Sequence, residues 1–188
     1  PPRSTLFPYT TLFRSPGFVR RFTPFAIIRF GEFDQIRSKR SIQFSEAITA
    51  AGLGAEHVDS ISLTIWDKFL WLVGASALNC VTRQPFGPVR EDPDTRALLR
   101  QIMEEVMFVA NAKGIPLTNE NIETRLDYID SLPGQAKVSM ALDLERGNRL
   151  ELPWLSGTAI RMGRELNVPT PANNVIYAAL KPYIMGSA

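Results

Sequence analysis

Asp92 and Gly114 bracket the stretch that most limits what this chain can become. Asp92 offers a capping oxygen, and Pro93 after it has the fixed φ and missing N–H that suit a first helical position. Leu98, Leu99, Ile102, Val106, Val109 and Ala110 then recur at helical spacing. Gly114 stands where a helix is usually terminated. The pattern predicts a helix over Asp92–Lys113 with one face committed to a core. Five more segments read the same way. They are Ser62–Val81, ended before Pro85 and Gly87; Thr118–Leu132, opened by a threonine cap and closed before Pro133 and Gly134; Ala136–Arg146, stopped at Gly147; Leu155–Leu166; and Pro171–Leu180, opened by Thr170. Helices of this kind bury their apolar faces against one another, so the expected fold class is mainly α.

Upstream the pattern differs. Phe25–Phe30 (FAIIRF) is a short apolar run with β-branched residues ending at Gly31, and it predicts a buried strand. Ser45–Ala51 predicts a short helix stopped by Gly52 and Gly54. Residues 16–58 are therefore expected to be the last strand and helix of a domain that began earlier, and 59–188 a helical domain. A single strand cannot bury itself, so the first piece should be poorly supported. Pro1–Ser15 (PPRSTLFPYTTLFRS) is the one-frame translation of a common sequencing-adapter oligonucleotide, all fifteen codons matching. Those residues are expected to be foreign to the protein and to make no core contacts, with the gene product beginning upstream of Pro16.

That reading changes the charge argument. The sequence has 21 Lys+Arg against 19 Asp+Glu, and setting aside Arg3 and Arg14 leaves 19 against 19. A neutral chain gives no basic patch for nucleic acid. No apolar run reaches the roughly 20 residues of a membrane span, since Phe69–Ala77 is too short and Lys68 precedes it. The lone cysteine, Cys80, excludes an intrachain disulfide and any multi-cysteine metal site, which makes a reducing compartment the default. The lone histidine, His57, leaves no histidine-rich metal centre, so no metal site is expected.

Three places could carry chemistry. Lys68 sits among Ile65, Trp66, Phe69, Leu70, Trp71 and Leu72. Such a lysine either snorkels to water or lines a cleft wall. On a desolvated wall its pKa falls, which suits a general acid for a ketone oxygen. In Val138–Trp154, Ser139 and Asp143 share a helical face, and Glu151 follows a glycine-containing turn between Leu150 and Leu152. A carboxylate there is either capped or salt-bridged, or accepts hydrogen bonds from a polyol. Asn167–Asn174 (NVPTPANN) contains Thr170-Pro171, which reads as a helix cap.

The order of these pieces is specific. W-x-K at Trp66–Lys68, Glu104–Gly114, S-M-x-x-D through Glu151, Ser156-Gly157 and Asn167–Asn173 together resemble the C-terminal domain of the ketopantoate reductase family, over about Phe25 to Tyr183. The resemblance implies the helical C-terminal domain of a 6-phosphogluconate-dehydrogenase-like reductase, with a remnant strand and helix of an N-terminal Rossmann domain. It implies NADPH-dependent reduction of ketopantoate to pantoate in coenzyme A synthesis, a small 2-keto acid substrate, a cytoplasmic enzyme, and a homodimer as a candidate assembly. Lys68 matches the family's catalytic lysine, a general acid. Glu151 matches the glutamate that binds and orients substrate, and Ser139 the serine that contacts the substrate carboxylate.

The sequence departs from the family in two ways. Where many members have asparagines one and two turns after the lysine, this chain has Leu72 and Ser76. Leu72 cannot hydrogen-bond a hydroxyl, which points to a different keto acid. Ser76 and Asn79 are the remaining candidate substrate contacts, Asn79 as a partial substitute on a different helical azimuth from Ser76. No G-x-G-x-x-G occurs, so the fragment is expected not to bind NADPH tightly and to be inactive alone. The competing readings are a related reductase acting on another keto acid and a non-enzymatic helical interaction module.

Overall fold

The computed structural model describes residues 27–186 with their side chains, and the backbone of Phe13–Ser15 and Phe18–Val19. The chain divides into two units, Pro1–Ile65 and Trp66–Ala188. Most of the Pro1–Ser15 expectation lies outside the described residues. Its end, Phe13–Ser15 (β1), pairs antiparallel with Phe18–Val19 (β2).

The first unit contains a β-α-β turn of chain. Ile27–Phe30 (β3) runs parallel to Gly54–His57 (β4), with Ile27 opposite Gly54 and Phe30 opposite His57. Parallel strands need a crossover, and Lys39–Ala50 (α1) supplies it. The Phe30 ring meets Phe44 of α1 and His57 of β4 edge-on, at 4.9 and 5.4 Å. Two expectations are corrected here. The helix starts six residues before Ser45, because Ser38 Oγ accepts from Ser41 N–H and caps it. Lys39-Arg40-Ser41 carries no apolar period, so only the cap marks that start. The second strand was not anticipated at all. Gly-Ala-Glu-His has little strand propensity and becomes a strand through its partner, β3.

The second unit is helical. Ile61–Thr82 (α2) enters it, followed by Phe86–Glu91 (α3), Pro93–Ala112 (α4), Asn119–Ser131 (α5), Ser139–Glu145 (α6), Ser156–Glu165 (α7), Pro171–Leu180 (α8) and a 3-10 turn at Lys181–Tyr183. α4 is the central element, packed by α3, α5, α7 and α8. Its buried set, Leu99, Ile102, Met103, Val106, Met107, Val109 and Ala110, is wider than one stripe because neighbours cover several sides. Full burial of such side chains stabilises by about 1.5–3 kcal/mol each. α2 crosses α4 at Gly74, where a Cβ would lie 2.9 Å from Met103 Cε and 3.1 Å from Leu99 Cδ1.

The ends of these helices show how far local signals reach. Asp92 caps α4 through Thr95 N–H at 2.8 Å and Asp94 N–H at 3.1 Å. Gly114, at φ +80°, ends it, with Ile115 N–H reaching Ala110 O at 2.9 Å. α3 was not expected, since Pro85, Gly87 and Pro88 read as breakers. Prolines are tolerated in a first turn, whose N–H groups have no intrahelical acceptor. The remaining donors are taken from outside, Phe86 N–H by Ala136 O (3.0 Å) and Gly87 N–H by Gly134 O (2.8 Å). The same contact shortens α6, which begins at Ser139 and not at Ala136. α8 begins at Pro171 as expected, but Thr170 Oγ1 does not cap it. The buried Glu105 of α4 does, accepting from Ala172 N–H at 2.7 Å.

α2 has 22 residues and is long and apolar enough, by length and composition, to cross a membrane. The expectation that no segment reaches that length is corrected accordingly. Its second half, Leu70 to Cys80, is largely buried within the helical unit, and core helices pass the same test.

Candidate active site

The rotation of α2 is fixed by α5. Asp67 pairs with Arg125, whose Nε lies 3.1 Å from Asp67 Oδ1. One turn on, the Trp71 ring meets Tyr128 of α5 edge-on at 5.5 Å. Successive helical residues point about 100° apart. Lys68, next after Asp67, is therefore turned away from α5, and the structure leaves it exposed. Among the described residues it makes no hydrogen bond or ion pair.

Glu151 sits in the turn joining α6 to α7. Leu150 and Leu152 beside it are 1% and 0% exposed, and Leu150 N–H bonds to Ile184 O at 2.9 Å. These anchors hold the turn while the Glu151 backbone carbonyl accepts from Trp154 and Leu155 N–H. Its carboxylate is half-buried and, among the described residues, has no donor. It is neither capped nor salt-bridged, so it remains free to accept from a ligand. Asp143, by contrast, is committed. Its carboxylate and carbonyl take the side-chain and backbone N–H of Asn148, at 3.1 and 2.8 Å, closing the turn that leads to Glu151.

Ser139 opens α6 and is exposed. Its position is set by Asn79, whose Oδ1 accepts from Val138 N–H at 3.2 Å while its Nδ2 donates to Gln84 O at 3.0 Å. Asn79 thus clasps the end of α2 to the start of α6. It also lies within about 20° of Lys68 around the helix, whereas Ser76 is roughly 80° away. Asn79 is 0% exposed. In this structure Asn79 acts as a clasp between α2 and α6. Ser76 is 3% exposed and sits within the helical packing. The structure therefore joins Asn79 to the Ser139 segment. No contact joins Lys68 to Glu151 among the described residues.

A nicotinamide dinucleotide would be expected at the turn from a strand into a helix N-terminus. The turn available here, from β3 into α1, does not fit one. Its helix end is already capped by Ser38, and it carries Glu32. The Arg40 and Ser38 hydrogen bonds hold the Glu32 carboxyl down to about 2, which keeps a negative charge where a pyrophosphate would need donors.

A parallel β-α-β segment followed in sequence by an all-helical unit, in which Lys68 and Glu151 lack protein partners among the described residues, defines the fold class as mainly α. The family model described as "Ketopantoate reductase PanE/ApbA C terminal" matches residues 60–183, and the chain belongs to that family. A 2-dehydropantoate 2-reductase from a Nostoc species is 28% identical over 142 residues, 76% of this chain and 44% of that protein. The crystal structure of a PanE/ApbA family ketopantoate reductase from Ralstonia eutropha superposes with a TM-score of 0.79 at 27% identity, covering 90% of this chain and 55% of that one. A dimeric ketopantoate reductase from Staphylococcus aureus shares the fold, with a TM-score of 0.74 at 24% identity, covering 84% of this chain and 53% of that one. The chain therefore spans about half the length of the relatives it matches.

Proposed function

We propose that this chain is the substrate-domain portion of an enzyme that reduces a 2-keto acid, ketopantoate first, to the corresponding 2-hydroxy acid. Lys68, exposed, and Glu151, half-buried, neither with a protein partner among the described residues of a chain that matches the family over residues 60–183, carry this reading. In the whole enzyme NADPH would supply the hydride. The Lys68 ammonium would give its proton to the substrate's carbonyl oxygen, and solvent would restore it. Glu151 accepts from the substrate hydroxyl, and Ser139 donates to the substrate carboxylate. Ser76 and Asn79, both on α2, are the remaining candidate substrate contacts.

The domain reading belongs to the same proposal. Residues 1–15 are foreign, 16–58 are the tail of the dinucleotide domain, and 59–188 form the substrate domain. Exposed Ile27 and Ile28 on the two-stranded parallel sheet support it, since such sheets are normally covered on both faces. Cytoplasmic placement, where this biosynthesis runs, and a homodimer like the Staphylococcus aureus relative are part of the same proposal. A second reading, reduction of another keto acid, is favoured by the apolar Leu72.

The test is to restore a complete dinucleotide domain and assay NADPH oxidation with ketopantoate and other 2-keto acids. The 188-residue chain should show no turnover, and the restored enzyme should. In it, Lys68→Ala should lower kcat by ~100- to 10,000-fold with a smaller effect on KM. Glu151→Ala should impair both, and Leu72→Asn should shift preference toward ketopantoate. Near-full activity in Lys68→Ala would refute the mechanism.

A further inference from the structure

Arg161 and Arg164 of α7 share one groove without a carboxylate partner among the described residues. Arg29, Arg40, Arg96, Arg100 and Arg125 each meet a carboxylate. Arg161 and Arg164 meet none among the described residues. They stand three residues apart on one helix, where like charges repel unless an anion lies between them. Both line a groove of about 420 Å³ between α7 and α8.

The two guanidinium groups are held in place by neutral atoms. Arg161 Nη2 donates to Thr158 Oγ1 at 3.2 Å, and Thr158 is itself tied to Pro153 O at 3.5 Å. Arg164 Nη2 reaches Asn174 Oδ1 at 3.4 Å, and the Asn174 amide is anchored on Thr170 O at 2.6 Å. Each bond uses one of a guanidinium's five N–H donors and leaves the others available. Such forks suit oxyanions, which accept two parallel bonds from each. Tyr177 and Ile160 add apolar wall. The Tyr177 ring packs so closely on Gly157 that a Cβ there would lie 2.9 Å from its Cε2. Glu165, on the same groove, adds a carboxylate that accepts hydroxyl hydrogen bonds and leaves one net positive charge.

We propose that the α7–α8 groove is a binding site for a small organic phosphate bearing hydroxyl groups, its phosphoryl oxygens taken by Arg161 and Arg164 and its hydroxyls by Glu165. The site lies outside the candidate reductase residues and does not depend on their assignment.

The test titrates ribose 5-phosphate, inorganic phosphate and ribose into the full 188-residue chain, followed by calorimetry and by amide NMR shifts. Ribose 5-phosphate should saturate with a Kd of about a millimolar or tighter, more tightly than phosphate, and ribose should not bind. Shifts should concentrate on α7 and α8, and binding should weaken with added salt. Arg161→Gln and Arg164→Gln should each weaken it by about tenfold or more, while Arg100→Gln on α4 should leave it unchanged. No saturation by ribose 5-phosphate, shifts centred elsewhere in the chain, or affinity that survives the double Arg161→Gln, Arg164→Gln change would overturn the proposal.

Discussion

Asn173 donates twice to one oxygen of Glu105, from its backbone N–H at 3.0 Å and from its side-chain amide at 2.8 Å, across 68 residues of sequence. With Ala172 N–H on the other carboxylate oxygen, the first turn of α8 is capped by a side chain from α4. Two segments that resemble the family separately, Glu104–Gly114 and Asn167–Asn173, thus meet in one buried network.

Glu105→Ala should strand these donors in a site where Glu105 is 4% exposed. A buried donor without a partner costs ~1–3 kcal/mol. A loss of about 3 kcal/mol is expected in urea unfolding, and Glu105→Gln, which keeps one acceptor, should lose less. A loss below about 0.5 kcal/mol in the alanine variant would show that the cap contributes little, as surface substitutions do.

Gly74 allows α2 and α4 to approach. Gly74→Val would press on Met103 and Leu99 and should destabilise by ~1–3 kcal/mol. Pairing it with Met103→Ala should recover part of that, since the space is vacated where the clash arises. A double variant no more stable than Gly74→Val alone would place the strain elsewhere.

Arg96 holds the Asp130 carboxyl below its ordinary 3.8, and Arg100 holds Glu123 below its ordinary 4.5, both first through hydrogen bonds. Asp92 is lowered as well, chiefly by the Thr95 backbone N–H. A depressed native pKa means that the unfolded chain binds protons first as pH falls. Stability from these groups is therefore complete above about pH 5 and declines as pH drops through their native values. The urea midpoint should fall between pH 5 and pH 3. It should fall less in the Asp130→Asn, Glu123→Gln double variant, with the remainder due to other carboxylates such as Asp92. An identical fall in both proteins would remove the α4–α5 pairs as the cause.

Cys80 is 1% exposed, and burial pushes its thiol up to about 12. Thiolate is the reactive form, so access and ionisation both protect it. Alkylation by iodoacetamide at pH 8 should be slow in the folded chain and rapid in urea. Equal rates would mean that the C-terminal end of α2 opens readily in the native state.

Much of the helical unit is legible in the residues alone, and the reason is range. Asp92 with Thr95, Gly114 with Asn111 and Thr118 with Asn121 satisfy helix ends within a few residues, so neighbours in sequence suffice to encode them. Spacing likewise singles out Lys68, Ser139 and Glu151 as candidates, but does not say what each faces. Tertiary structure alone decided the remainder. α3 exists because residues 134 and 136 supply acceptors from another loop, and β4 because β3 lies beside it. Asn79 became a clasp because Val138 N–H came within its reach. A buried polar group must find a partner wherever the packing offers one, and no pattern of adjacent residues specifies a partner 59 or 68 positions away.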